Sequence, residues 1–466
     1  MKNILLLSFF TLLLYGCGSR QETKIIRTEV PPRSEGQTDV LQLRCEPLET
    51  VRVGFIGLGG RGRAAVSRFV SIEGAQISAI CDFDQDNLNK TQEIITNGNH
   101  PKAKEYTGEK GWQELCAGNE VDLIYICTDW LSHTPIAVYA MNHGKHAAIE
   151  VPAAVSIAEC WELVDTAEKT RRHCMMLENC CYDRFELATL NMAQQGVFGE
   201  IVHTEGAYIH DLRPTNSNER MLKNSSDLTG YPDDYIKNWR MKYNAEHQGN
   251  PYPTHGLGPV CQILNIHRGD KMDYLISMSS DQFGITEYAK EKFGDNSPQA
   301  KQSYGLGDMN VTMIKTQKGK TIMVQHDITS PRPYSRIHLV SGTKGFAQKY
   351  PVEQIALDPN AHDALSKPQM DSILNAYEHP FYKEAGEQAA KLGAVAHGGM
   401  DYIMDYRLVY CLRKGLPLDQ DVYDAAEWSS LVELTELSVK NNGAPVEIPD
   451  FTRGAWNKLN RLKFAE

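Results

Sequence analysis

An α/β protein in two parts is the fold this sequence predicts. A doubly wound, Rossmann-type parallel domain covers residues 50–195, and an α+β domain with an open, mainly antiparallel sheet covers residues 196–466. Three observations carry that expectation. From residue 51 to about 195, apolar β-favouring runs alternate with helical patterns, as in βαβ units. The first of those runs stops in a glycine-rich turn, Gly57-Leu58-Gly59-Gly60-Arg61-Gly62. After about residue 197 the runs become strand-like with short polar breaks, and helical periodicity returns only from His379.

The first residues read as a targeting segment, not as part of the fold. Lys2 is a short positive region and Ile4–Tyr15 an apolar one, too short to span a bilayer comfortably and suited to a secretory signal. Leu14-Tyr15-Gly16-Cys17 resembles a bacterial lipobox, so residues 1–17 are expected to be a lipoprotein signal with Cys17 as the lipid anchor. The chain would then be exported and held at a bacterial membrane, on its periplasmic or cell-surface side. No twin-arginine pair precedes the apolar run, which implies export unfolded. Residues 18–49 are polar, with Pro31-Pro32, and read as a tether.

In the first domain the expected strands are Val51–Ile56, Ala75–Cys81, Val121–Cys127, His146–Glu150 and Cys174–Glu178. The expected helices are Gly62–Val70, Gln85–Ile95, Thr134–Asn142 and Ile157–Thr170. In the glycine turn, Gly57 allows the bend, Gly59 lets a pyrophosphate approach the backbone, and Gly62 lets the helix pack on the strand. The second strand ends at Asp82, where a carboxylate binds ribose hydroxyls and repels a 2′-phosphate. The pattern predicts NAD rather than NADP. Ligands in such sheets lie beyond the carboxyl ends of the strands.

In the second domain Ile201–Asp211, Met272–Gly284, Asp308–Thr316, Lys320–Asp327 and Ser335–Ser341 are expected strands. Gln317-Lys318-Gly319 is a hairpin loop, with glycine supplying the positive φ. Glu219–Pro253, rich in Asn, Tyr, Gly and Pro, reads as a long functional loop. Gly399–Arg413 and Val422–Lys440 are expected helices.

The net charge of −11 argues against a nucleic-acid-binding surface. The eleven cysteines form no C-x-x-C pair, and no helical H-x-x-x-H or Cys/His cluster stands out among fifteen histidines. No metal is expected. Sequence assigns no disulfide.

Several segments occur in an order that resembles one family. They are Trp130-Leu131-Ser132-His133, Glu150-Val151-Pro152, Glu178-Asn179-Cys180-Cys181-Tyr182 and Tyr208-Ile209-His210-Asp211-Leu212-Arg213. Asn238-Trp239-Arg240, Tyr252-Pro253-Thr254-His255-Gly256, Ser330-Pro331-Arg332-Pro333-Tyr334 and His397-Gly398-Gly399-Met400-Asp401 follow. The overall plan resembles the Gfo/Idh/MocA oxidoreductases, most of which carry Glu-Lys-Pro where this chain has Glu150-Val151-Pro152. The missing lysine is the usual acid/base group of the sugar dehydrogenases. Together the motifs resemble glycoside hydrolase family 109, the NAD-dependent α-N-acetylgalactosaminidases.

That resemblance implies hydrolysis through oxidation: hydride transfer from C3 of the sugar to NAD⁺, loss of the acidified C2 proton, elimination of the aglycone, addition of water, and return of the hydride. NAD-dependent glycosidases of this kind depart from the paired-carboxylate mechanisms. The resemblance also implies the site. Gly60, Arg61, Asp82, Trp130, Leu131, Ser132, His133, Glu150, Val151 and Asn179 would contact NAD. Tyr208, Arg240, Tyr252, Pro253, Thr254, His255 and Tyr334 would face a glycan ending in α-linked N-acetylgalactosamine. His255 is the first candidate for acid/base work, since imidazole titrates near neutrality. Tyr182 and Tyr334 are further catalytic candidates, and each would need a lowered pKa to act as a base. Loop packing remains the bland reading of His255, a surface ion pair that of Arg240, and a strand end that of His210 and Asp211. A sugar dehydrogenase, a redox-assisted glycosidase for another sugar and a non-catalytic sugar-binding lipoprotein are the competing functions. By analogy with the oxidoreductases, an open sheet face suits a homo-oligomer.

Overall fold

The computed structural model describes residues 25–213 and 233–465. The signal segment, Cys17 and part of the Glu219–Pro253 run lie outside the described residues.

The first domain is a six-stranded parallel sheet, β3-β2-β1-β4-β5-β6, made of β1 (Val51–Ile56), β2 (Ala75–Cys81), β3 (Lys104–Tyr106), β4 (Leu123–Ile126), β5 (His146–Ile149) and β6 (Cys174–Met176). Helices α1 (Gly60–Phe69), α2 (Gln85–Asn97), α3 (Gly111–Ala117), α4 (Trp130–Asn142) and α5 (Ile157–Thr170) connect them. All of these except β3 and α3 are legible in the sequence. β3 is a three-residue edge strand with two exposed positions, too short to show alternation. The helices begin where local chemistry predicts. Ser156 and Glu159 form a reciprocal capping box at α5, and Asp84 and Asp129 accept first-turn amides at α2 and α4.

The second domain is an eight-stranded sheet in the order β13-β12-β11-β7-β10-β9-β8-β14. Its strands are β7 (Ile201–Ile209), β8 (Met272–Ser279), β9 (Met309–Thr316), β10 (Thr321–Asp327), β11 (Leu339–Gly342), β12 (Gly345–Gln348), β13 (Gln354–Leu357) and β14 (Val446–Glu447). Every pairing is antiparallel except β7 with β10, where Tyr208 stands beside His326. The β9–β10 hairpin turns at Gly319, φ +87°.

Three expected strands are trimmed. β8 stops at Ser279 because the Asp308 carboxylate accepts the amides of Phe283 and Gly284 at 2.6 and 2.8 Å and starts a helix, Gly284–Phe293. β11 begins only at Leu339 because Ile337 and His338 take positive φ values of 57° and 47°. β7 ends at Ile209, and the Asp211 carboxylate turns to pair with Arg213 at 2.8 Å.

Two larger corrections concern loops. Within the run read as a long loop, Asp233–Glu246 is a helix. Met241 and Tyr243 on it are buried, and Tyr243 meets Trp130 edge-on at 5.3 Å. The tether expected over 18–49 is not free along its described part. Ile26 donates to the Pro445 carbonyl at 2.8 Å, and Arg33 pairs with buried Glu168 at 2.8 Å. The Val40 amide donates to the Tyr423 hydroxyl at 2.9 Å, while Val40 and Leu43 are buried. A few apolar anchors suffice to lay a polar segment along the body, and composition averages hide them.

The C-terminal helices close the molecule. Met400–Lys414 packs beside α1, where Asp405 meets buried Arg68 at 2.6 Å and the Tyr125 hydroxyl at 2.9 Å. Val422–Lys440 lies between α5 and β8. It is buried around nearly its whole circumference, with Trp428 fully enclosed. Among the described residues no helix is long and apolar enough to cross a membrane.

Candidate functional site

The glycine turn is built for close approach. Gly57 has φ +87°, and a Cβ on it would stand 2.7 Å from the Cys127 carbonyl oxygen. A Cβ on Gly62 would overlap the Gly57 carbonyl. Gly59 and Gly60, by contrast, have nothing within 4 Å of a Cβ position and are exposed. The N-terminus of α1 has no side-chain cap, so its free amides and dipole face that open space. Asp82 lies against the turn, accepting the Leu58 amide at 2.7 Å and the Asp84 amide at 2.9 Å. These features fit a dinucleotide: open glycines for the pyrophosphate and a carboxylate at the end of β2 for a ribose. Asp82→Ser is expected to weaken NAD binding and narrow its preference over NADP, measured by titrating each into the protein and following tryptophan fluorescence. An unchanged preference would remove Asp82 from ribose recognition.

Arg61 connects the turn to the rest of the site. It donates to Glu150 at 2.6 Å and to both Asp401 carboxylate oxygens at 2.8 and 3.1 Å. The Asn179 amide and His397 also reach Asp401. Burial opposes the charge on Asp401, but His397, Arg61 and Arg68 hold its carboxyl well below the usual range. Glu150 and Asn179, which follow β5 and β6, are thus gathered with Arg61 around this network. The local sequence around His397 and Asp401 shows no such role, because their partner Arg61 is hundreds of positions away.

The first turn of α4 is more structural. His133 is buried, its ring nitrogens 2.8 Å from the Pro152 carbonyl and 3.1 Å from that of Thr128. Burial pushes its pKa down. Trp130 donates to the Val151 carbonyl at 3.2 Å. Ser132 bonds Asp129 at 2.6 Å. Only Leu131 is exposed. Trp130 and His133 therefore fix the Val151–Pro152 segment beneath the cleft.

On the facing side, the helix Thr254–Leu264 lies directly on β7. A Cβ on Gly206 would overlap the backbone of Gly256, and one on Gly256 would overlap Ala207. Pro253 precedes the helix, and Thr254 is buried in its first turn. This contact brings His255 to 5.5 Å from the Tyr208 ring and 4.9 Å from the Tyr252 ring. The other side of the imidazole meets a carboxylate: Nδ1 is 2.8 and 3.0 Å from the two oxygens of fully buried Glu178. Burial raises the cost of that charge, yet His255 keeps Glu178 below the usual carboxylate range. A carboxylate on Nδ1 fixes an Nδ1–H tautomer and leaves Nε2 for proton transfer. Nothing in the local sequence around Glu178 points to this role, because its partner lies 77 positions further on.

Arg240 lies over three rings, Trp130 at 5.2 Å, Trp239 at 5.0 Å and Tyr252 at 5.4 Å. Among the described residues no carboxylate pairs with it, which leaves its donors for a polar ligand. Tyr334 stands further out, 40% exposed, packed on His210 at 5.2 Å and Tyr350 at 5.8 Å. Burial pushes its phenol up.

Tyr182 does not join the cleft. It ends a short 3₁₀ turn, and its buried hydroxyl points to Asp419 at 3.4 Å, a residue held by Arg407 at 2.8 Å. Burial and the Asp419 charge push its phenol well above the ordinary value, so this conformation offers no base. Among the described residues one group of metal-ligating atoms occurs: ligand atoms of Glu178, Cys180 and His255 lie within 4.8 Å of one another. The Arg336 guanidinium already approaches Cys180 Sγ at 3.2 Å, and burial keeps that thiol protonated. The group therefore acts as a His–Glu pair beside a satisfied thiol.

Comparison with known proteins agrees with this geometry. Residues 51–178 match the model of the oxidoreductase family, NAD-binding Rossmann fold. Residues 182–458 match that of the glycosyl hydrolase 109 C-terminal domain. The chain belongs to glycosyl hydrolase family 109. An α-N-acetylgalactosaminidase of Bacteroides fragilis is 58% identical over 92% of this chain and 98% of that protein. A glycosyl hydrolase family 109 protein of Phocaeicola vulgatus is 54% identical over 90% of this chain and 99% of its own length. Solved structures share the family 109 fold at low identity. Levoglucosan dehydrogenase, in complex with NADH and levoglucosan, has a TM-score of 0.63 at 16% identity, covering 86% of this chain and all of that one. The myo-inositol 2-dehydrogenase of Lactobacillus plantarum has a TM-score of 0.58 at 15% identity, covering 86% and 99%. The first domain of this family 109 chain is an NAD-binding Rossmann domain, and its second carries the mainly antiparallel sheet expected, with one parallel pairing.

Proposed function

We propose that this chain hydrolyses terminal α-linked N-acetylgalactosamine with NAD as a resident cofactor. The observation that carries the reading is the His255–Glu178 pair, facing Tyr208 and Tyr252 across from a dinucleotide cradle, in a chain 58% identical to an α-N-acetylgalactosaminidase. Gly59, Gly60, Arg61 and Asp82 would hold the dinucleotide, with Glu150 and Asn179 nearest its reactive end. When bound, NAD⁺ supplies a reversible hydride acceptor and is regenerated within the cycle. His255 Nε2 accepts and returns a sugar proton, while Glu178 holds Nδ1–H and offsets the imidazolium charge. Arg240 and the tyrosines orient hydroxyl and acetamido groups. Val151, in place of the dehydrogenases' lysine, argues for a redox-neutral cycle rather than net oxidation.

The test is incubation with p-nitrophenyl α-N-acetylgalactosaminide and NAD⁺, following nitrophenol and the NADH band together. Nitrophenol release without accumulating NADH is expected. NADH accumulating from a free sugar, with no nitrophenol, would make the chain a dehydrogenase.

We also propose export and lipid anchoring through Cys17, supported by the Ile4–Tyr15 apolar run and Leu14–Cys17. Labelled palmitate should enter the native chain and not Cys17→Ala; equal labelling would overturn it.

A further inference from the structure

The second sheet has one buried face and one open face. The helices Thr254–Leu264 and Val422–Lys440 pack on the buried face, against β7 and β8. Side chains alternate across each strand, and residues paired in register share a face. Ile276 of β8, Met313 of β9 and Met323 of β10 therefore form one row on the open face. Met278 and Val311 belong to the next row, and Tyr274 stands beside Lys315. None of these side chains is buried: Met278 is 68% exposed and Ile276 41%. A contiguous apolar strip on a protein surface marks an interaction site.

The chain enters the fold at the edge of this strip. Ile26 bridges Val446 of β14 in parallel, and the Glu447 amide donates to the Ile26 carbonyl at 2.9 Å. Ile26 packs on the core, which turns Ile25 and Arg27 to the open face. Ile25 is 40% exposed there, and Arg27 lies 3.9 Å from Glu447. Cys17 is eight positions before Ile25, a reach of at most about 30 Å. From Ile26 to Leu43 the segment is laid along the body and adds no slack. A lipid on Cys17 therefore holds a bilayer within reach of this edge of the sheet. The charges on the open face balance, Arg27 and Lys315 against Glu447 and Glu205, in a chain of net charge −11. Lipid phosphates accordingly do not repel it.

We propose that the open face around β8 and β9 rests on the phospholipid bilayer that carries the Cys17 lipid. The proposal rests on the lipid-anchor reading. Ile25, Ile276 and Met278 enter the boundary between headgroups and acyl chains. Tyr274 takes the interfacial level that suits an aromatic ring with a polar tip, and Arg27 and Lys315 reach the phosphates. The helix that carries His255 lies on the opposite face of the same sheet, so docking leaves His255 uncovered.

The experiment uses the lipidated chain in phosphatidylethanolamine–phosphatidylglycerol vesicles, with and without brominated acyl chains, which quench a tryptophan that reaches them. One variant is Met278→Trp, on the open face. The control is Val352→Trp, 63% exposed between β12 and β13 at the other edge of the sheet. With the native tryptophan signal subtracted, Met278→Trp emission should fall about twofold on brominated vesicles, as for a ring buried at the acyl boundary. Val352→Trp should keep its intensity. Adding Ile276→Glu to Met278→Trp should cancel the quenching. Thermal melting and activity on the aryl glycoside should stay native and report the fold; Ile276→Trp replaces Met278→Trp if that variant melts early. Equal quenching at both positions, or none at Met278→Trp, in a chain that takes up palmitate overturns the docked face and leaves the anchor standing. An unquenched Met278→Trp whose emission shifts as the chain dimerises assigns the face to a second copy and overturns the proposal too. A native chain that takes up no palmitate overturns the anchor, and the docked face with it.

Discussion

Replacing His255 by Asn is expected to lower kcat about 10²–10⁴-fold, the range for removing a positioned general acid/base. Glu178→Gln should lower it comparably, although Glu178 touches no substrate. The carboxylate is fully buried and places both oxygens within 3.0 Å of Nδ1. A glutamine there can present its amide nitrogen instead, which turns Nδ1 into an acceptor and puts the proton on Nε2, the wrong tautomer for a base. A glutamine that presents its oxygen keeps the geometry but loses the charge that stabilises the imidazolium. Either way kcat falls while NAD affinity and melting temperature stay close to native. Glu178→Asp, which keeps the charge at a longer reach, should recover part of the rate. Steady-state kinetics on the aryl glycoside, with NAD titrations in parallel, make the check. Native kcat in folded Glu178→Gln would reduce the pair to a packing contact.

Gly256→Val should be the most damaging single change outside the reacting groups. The helix that carries His255 lies on β7 backbone to backbone, and the added side chain would collide with Gly206 and Ala207 rather than with a flexible neighbour. Overpacking typically costs about 1–3 kcal/mol and more where backbone must move. A shift of the helix would also pull His255 away from Tyr208 and Glu178. Misplacement on the order of 1 Å costs about a hundredfold in rate, so activity should collapse before the fold does. Thermal melting read beside kcat distinguishes the two losses. Native activity in this variant would mean that the helix does not need its close seat.

How far the sequence carried these conclusions depends on the range of each contact. The glycine turn, Asp82 and the alternation of strands and helices are local, and each is legible because one stretch of chain satisfies its own geometry. The hairpin at Gly319 is legible for the same reason. Glu178 with His255 and Arg61 with Asp401 are pairs made by the packing of distant elements, and no periodicity points from one partner to the other. Tyr182 shows the opposite failure. Its place after the fifth expected strand puts it near the cleft, but a single 3₁₀ turn rotates the hydroxyl to Asp419. The segment containing Asp233–Glu246 reads as a loop because its composition is turn-like; tertiary contacts such as Tyr243 against Trp130 override weak local preference.

The buried helix Val422–Lys440 has a consequence for cooperativity. Its Ser429 hydroxyl accepts the Ala153 amide of the first domain at 3.1 Å, and its Ser438 hydroxyl accepts the Ser277 amide of the second at 2.8 Å. The N-terminal segment is tied to the same helix through Tyr423. One late element thus supplies interior to both sheets, so the boundary near residue 195 divides the sequence but not the folding free energy. Independent domain motion is the default unless the elements between the domains are shared, and here one buried helix packs on β6 of the first sheet and β8 of the second. The cleft is set when the chain folds. Residues 50–195 made alone would lack a wall of their own core, and the whole chain should melt in one transition.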